Sequence, residues 1–192
     1  ALAYSICFGM EITFDNVAAL YFVDTFNFDQ KAAGLLAGLF GFMNIFARAL
    51  GGIFADRIGR VYGISGKSWL LAGFLVLEGI GLYFFSNTLT ITYAIVAMLS
   101  FALFLKMANG ATYAITPFIN SKNVGLVAGI VGAGGNIGGM LMGFLFKSES
   151  ISYAEAFQYI GGAAVVVGLL VALTKFATKN KEVKPNTVFE EV

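Results

Sequence analysis

The sequence predicts an all-α membrane protein built from six transmembrane helices, and three observations predict it. The 192 residues fall into six apolar stretches, at about 1–23, 32–55, 68–85, 91–117, 124–146 and 157–175. Each is near the ~20 residues that a helix needs to cross a bilayer. The connections between them are short, and Asp24–Lys31, Ser86–Thr90 and Lys147–Glu155 are polar. Basic residues are also segregated. Arg57, Arg60, Lys67, Lys122, Lys175, Lys179, Lys181 and Lys184 occupy the second and fourth connections and the C-terminal segment, whereas the other connections hold only Lys31 and Lys147. By the positive-inside rule the first helix therefore starts in the cytoplasm, and residues 176–192 form a charged cytoplasmic tail that is expected to be disordered.

Composition narrows the functional classes. The chain is 58% hydrophobic and 12% charged, with a mean hydropathy of +0.82, and it has no long polar segment in which to seek a soluble catalytic domain. It contains no histidine, which removes His-ligated metal sites and every Ser-His or Cys-His triad. Cys7 is the one cysteine, so neither a disulfide within the chain nor a thiolate metal cluster is expected. No catalytic residue, metal or cofactor is predicted, and no basic patch with interleaved aromatics points to nucleic acid. The chain opens without Met inside a hydrophobic run and without a signal peptide, so an upstream part is expected to be missing.

The first helix carries Tyr4, Phe8, Glu11 and Asp15 at spacings of 4, 3 and 4, which puts all four on one face. Carboxylates at membrane depth are expensive and face a bundle interior or a watery cavity. Glu11 and Asp15 can pair with a basic group for structural reasons, or they can relay protons. The second helix holds Arg48 well inside its apolar run, with Asn44 one turn earlier. Arginine cannot shed its charge, so Arg48 needs a carboxylate, water or a bound anion beside it. A planar oxyanion matches the planar guanidinium fork. After this helix comes Gly52-Ile53-Phe54-Ala55-Asp56-Arg57-Ile58-Gly59-Arg60.

The third helix has a single acid, Glu78, read as a structural counter-ion for a neighbouring helix, with Trp69 and Tyr83 near its ends as interfacial aromatics. In the fourth, Lys106, Asn109, Tyr113 and Thr116 recur at 3, 4 and 3, a polar seam on an apolar helix. Lys106 has Glu11, Asp15 and Glu78 as possible partners, or it draws an anion into the path. Pro117 is expected to disrupt or end that helix. The fifth helix has glycine at 125, 129, 132, 134, 135, 138, 139 and 143, with Asn136 among them. Each such glycine would cost a soluble helix roughly 1 kcal/mol relative to alanine. In a bilayer the helix forms regardless, and glycine offers bare backbone to a neighbouring helix or a small ligand. Both uses stay open for the 132–139 segment. Its Gly132, Gly134 and Gly138 do not make a dinucleotide-binding fingerprint. The sixth helix reads as peripheral scaffold.

The segment from Gly52 to Arg60 resembles the G-x-x-x-D-R-x-G-R loop motif of the major facilitator superfamily, with Gly52, Asp56, Arg57, Gly59 and Arg60 in the motif positions. That resemblance implies inner-face gating for these residues, and it makes the six helices one half, the C-terminal one, of a twelve-helix transporter whose N-terminal half is absent. Four further stretches resemble the nitrate/nitrite porter family, closest to its plant, algal and cyanobacterial type: Phe8–Ala18, Leu39–Gly52, Gly110–Phe118 and Gly132–Gly138. The resemblance implies helices seven to twelve of that family, an integral protein of a plasma or bacterial inner membrane, and nitrate or nitrite as cargo. It also implies that Arg48 is one of two arginines that clamp the anion, with Tyr4, Phe8 and Tyr113 as pathway aromatics and Gly135, Asn136 and Gly138 presenting backbone to it. Asn44 is a further donor candidate. Glu11 and Asp15 are the candidates for coupling transport to protons in a symporter. The alternatives are a nitrate/nitrite exchanger, or a carrier of the same fold for another small anion or an organic acid.

Overall fold

The computed structural model describes residues 1–174, and they are helical almost throughout. Six helices follow in order: α1 Leu2–Phe26, α2 Gln30–Phe42, α3 Asn44–Ser86, α4 Ile91–Ile119, α5 Val124–Lys147 and α6 Tyr153–Leu173. α2 runs into α3 through Met43, which keeps right-handed helical angles, so the two form one long element with an irregular joint. α3 in turn breaks at Gly63, whose φ of 62° and ψ of −155° suit glycine alone. There the chain doubles back. Lys67 reaches Asp56 across a gap of 2.7 Å, which eleven residues of continuous helix would make impossible. The helical segments are thus α1, 30–62, 64–86, α4, α5 and α6. α1, α4, α5, α6 and the 30–86 run, which Gly63 divides, are each long and apolar enough to cross a membrane.

Residues 56–67, which read as a cytoplasmic connection, are helical apart from the break at Gly63. Hydropathy ends a span where charge begins, but Asp56, Arg57 and Arg60 are compatible with a helix, which continues until a residue leaves right-handed space. Likewise Pro117 lies inside α4, which runs on to Ile119 before ending. α6 begins earlier than its apolar stretch, because Ser152 and Glu155 form a reciprocal capping box. The tail expected over 176–192 lies outside the described residues, as does Lys175.

Two kinds of packing hold the bundle. At the middle of α1, an aromatic cluster joins five elements: Phe14 lies 4.5 Å from Phe40, 5.2 Å from Phe101, 5.7 Å from Phe85 and 5.9 Å from Phe157, ring centre to ring centre. α6 is therefore keyed into the core by Phe157 and also crosses 64–86 closely at Gly79 and Gly161. Elsewhere, small residues bring backbones together. Gly51 meets the Met107 backbone and Gly110 meets the Arg48 carbonyl, which clasps α3 to α4. Gly9 and Gly138 do the same for α1 and α5: a Cβ on Gly9 would lie 2.7 Å from the Gly138 carbonyl carbon. Such contacts are how helices associate where lipid removes the hydrophobic driving force.

Candidate anion site

The α3–α4 clasp decides where the polar groups meet. It sets Asn44 and Arg48, one turn apart on α3, opposite Lys106 and Asn109 on α4, and α1 inserts Glu11 between them. Arg48 Nη2 donates to Glu11 Oε2 at 2.8 Å, and Lys106 Nζ donates to Oε1 at 3.3 Å. The side-chain amides of Asn44 and Asn109 donate to the same carboxylate, one to each oxygen. Four donors from two helices thus converge on one acid. Glu11 and Lys106 are buried, and the Lys106 ammonium also lies 4.0 Å from the centre of the Phe40 ring.

Arg48 differs from Lys106 in one respect that matters. Its side chain is 38% exposed, against 0% for Lys106, so the guanidinium stands at the open edge of the cluster. Its Nε is buried and has no hydrogen-bond partner among the described residues. The Phe8 ring centre lies 5.8 Å from its central carbon. Phe8 stacks on Tyr4 at 4.8 Å with planes 8° apart, and Tyr113 meets Tyr4 edge-on at 5.1 Å. These three aromatic side chains, read from the sequence as pathway groups, form one continuous wall beside Arg48. Asp15, one turn beyond Glu11, is exposed and makes no hydrogen bond among the described residues.

The glycine face of α5 resolves into parts. Gly135 lies under the aromatic wall: an added Cβ would sit 2.6 Å from Phe8 Cδ1 and 2.7 Å from Tyr4 Cδ1. Gly138 is sealed against the Ser5 carbonyl, and Ser5 and Thr13 donate hydroxyl hydrogen bonds to the carbonyls of Gly134 and Gly139. In this conformation, then, Gly135 and Gly138 support α1 and its rings instead of presenting bare backbone. Among the described residues, an added Cβ at Gly125, Gly129 or Gly143 meets nothing within 4 Å. Asn136 is exposed and caps the Gly132 carbonyl at 3.1 Å; a Cβ on Gly132 would lie 3.8 Å from the Tyr113 hydroxyl, which puts Asn136 one turn along that side.

The motif residues lie apart from this cluster. Gly52 faces α4 near Gly110, and Asp56 accepts from Lys67 Nζ. Lys67 also donates to the Ala114 carbonyl at 3.0 Å, and its stem runs over the bare Gly59. Arg57 and Arg60 are exposed. Glu78, read as a counter-ion, is fully buried, and neither of its oxygens has a hydrogen-bond partner among the described residues. Lys106, Asn109 and Lys67 were not among the site residues inferred from sequence. The polar seam at 3, 4, 3 spacing was the signal for the first two; nothing local marked Lys67 as Asp56's partner.

Comparison with known proteins decides the family. The Major Facilitator Superfamily model matches residues 1–191. The chain belongs to the major facilitator superfamily. It is an integral membrane protein of that family and not an enzyme. It is 36% identical over 177 residues to the high affinity nitrate transporter 2.5 of Arabidopsis thaliana, covering 92% of this chain and 35% of that one. It is 37% identical over 185 residues to nitrate transporter 2.2 of Chlamydomonas reinhardtii, covering 92% and 36%. With the nitrate/nitrite transporter NrtP of Picosynechococcus it shares 28% identity over 188 residues, covering 89% and 34%. The chain thus spans about a third of the length of these curated relatives. No solved structure matches it significantly.

Proposed function

We propose that the chain is the C-terminal six-helix half of a twelve-helix carrier that moves nitrate across the membrane by alternating access, coupled to protons. The observation that carries this reading is the state of Arg48: a guanidinium at membrane depth, held by Glu11 through Nη2, with Nε buried and part of the side chain exposed at the open edge of the cluster. Among the groups in direct contact, two cations face one carboxylate, so the cluster has one positive charge to spare. A nitrate-sized anion has few atoms, and its affinity must come from charge pairing and flat contact, not area. Arg48 supplies the fork; Tyr4, Phe8 and Tyr113 enclose the ion; Asn44 holds Glu11 aside. Gly135 and Gly138 act through α1, setting the height of its rings and of Glu11. The names of the relatives support nitrate as cargo, with nitrite as its near neighbour.

The absent N-terminal half supplies the other wall, and the two halves rock about the shared midplane site. By the positive-inside rule the basic connections support a cytoplasmic side for the C-terminus. The gating motif works at that inner face, where the Asp56–Lys67 pair ties the Gly63 reversal to the end of α4.

The test is nitrate uptake by the full-length carrier in proteoliposomes under an inward proton gradient. Uphill accumulation that a protonophore abolishes is expected. Uptake that requires internal nitrite would replace symport by exchange. No nitrate uptake, with an organic acid moved instead, would overturn the cargo. For coupling, Asp15→Asn is expected to keep nitrate–nitrate counterflow within about twofold while losing proton-driven accumulation; an unchanged accumulation ratio would remove Asp15 from the proton path.

A further inference from the structure

We propose that Lys106 is the positioning residue that lets an incoming anion take Arg48 away from Glu11. The inference rests on the reading of Arg48 as the anion's ligand and adds the means by which the ligand becomes free. Two features of the cluster lead to it. Arg48 and Glu11 already form a charge-assisted pair at 2.8 Å, so an anion approaching Arg48 competes with a carboxylate for the same fork. Glu11 is 3% exposed, and a buried carboxylate stripped of its cation is strongly penalised.

Lys106 removes that penalty. Its ammonium is wholly buried, bonded to the other oxygen of Glu11 at 3.3 Å and backed by the Phe40 ring at 4.0 Å. The amides of Asn44 and Asn109 complete the carboxylate's shell. When the anion draws Arg48 outward, Glu11 keeps one cation and two amides, and no buried charge is left alone. The occupied site then holds Arg48 with the anion and Lys106 with Glu11, two pairs and no excess charge. Glu11 is a fixed counter-charge in this exchange. Of the charged groups around Lys106, Glu11 and Arg48 are within the cluster, and Asp15 is the further acid on the same face of α1.

Burial separates this role from direct binding. Lys106 has no exposed surface through which to meet an ion, whereas Arg48 does. Lys106→Gln should therefore leave Arg48 as the sole cation for Glu11 and weaken anion binding without touching the anion's own contacts.

The experiment measures equilibrium nitrate binding and the KM and kcat of counterflow in the full-length carrier. Lys106→Gln is expected to raise Kd and KM at least tenfold, with kcat changed less and melting temperature retained. The double variant Glu11→Gln/Lys106→Gln removes competitor and substitute together, leaves Arg48 with the single positive charge, and is expected to recover Kd to within threefold of the parent. A purely structural lysine would not be rescued in that way. A double variant that is folded but no better than Lys106→Gln overturns the inference, and so does an unchanged Kd in the single variant. If Lys106→Gln fails to fold, the double variant decides alone: threefold supports, tenfold loss overturns. A parent that binds no nitrate, while its Lys106 variants still melt normally, removes the reading of Arg48 and this inference with it.

Discussion

Replacing Arg48 by lysine is expected to reduce nitrate kcat/KM by about 100-fold in the full-length carrier, with normal abundance and melting temperature. The charge survives the change, so any effect reports geometry. Lysine is a compact point donor on a flexible stem, while arginine offers a flat fork that can serve two oxygens at once. In the present arrangement Nη2 of that fork holds Glu11 at 2.8 Å, and the side chain is 38% exposed. A lysine keeps three donors but, as a compact point charge, cannot lay a flat edge against the anion while it holds Glu11. Losing one charge-assisted hydrogen bond of about 1.5–3 kcal/mol accounts for a drop of this size. Initial uptake rates at several nitrate concentrations measure it. Wild-type kinetics in the variant would make Arg48 a structural partner of Glu11 and would leave the anion without a ligand in this half.

The largest expected effect on stability comes from Gly138→Ala. The added methyl would fall within the Ser5 carbonyl, and the atoms it meets are backbone on both sides. Gly9 already places its Cα face against Gly138, so α1 cannot shift along α5 to make room. The helices would have to part. Overpacking of this kind costs about 1–3 kcal/mol, with the upper end expected where no side chain can yield. Thermal melts in detergent are expected to show a clear fall, and nitrate uptake should fall with them, since α1 carries Tyr4, Phe8 and Glu11. Gly125→Ala is the matched control: nothing lies within 4 Å of its added methyl, so its melting temperature should hold or rise. Equal stability of the two variants would mean that the α1–α5 contact is not close in the working protein.

The same pair of helices shows how far local pattern reaches. Spacing alone put Tyr4, Phe8, Glu11 and Asp15 on one face, and the three aromatic side chains expected in a pathway do form one wall. Two uses of the α5 glycines, packing and ligand contact, were equally open from sequence, because bare backbone looks the same whichever neighbour covers it. The fold shows α1 as that neighbour at Gly135, Gly138 and Gly139, and no neighbour within 4 Å among the described residues at Gly125, Gly129 and Gly143. Likewise, charge ended the second apolar stretch near Asp56, but helix continues to Gly63, since hydropathy measures affinity for lipid and not backbone conformation.

Sequence by itself determined the class of the protein: an all-α membrane protein with apolar helices of membrane-crossing length, a loop motif of the superfamily, and a short roster of polar residues within the apolar runs. Each of those is a local property, written in composition or in helical period. Which acid meets which base was decided by tertiary structure alone. Lys106 had three carboxylates available in the sequence, at separations of 95, 91 and 28 residues, and only helix crossing points and relative depths choose among them. Gly51 against Met107 and Gly110 against Arg48 set those depths, and they bring Lys106 to Glu11 while Glu78 has no hydrogen-bond partner among the described residues. In a medium that cannot solvate charge, that choice converts a list of polar residues into one carboxylate, two cations and an open guanidinium edge.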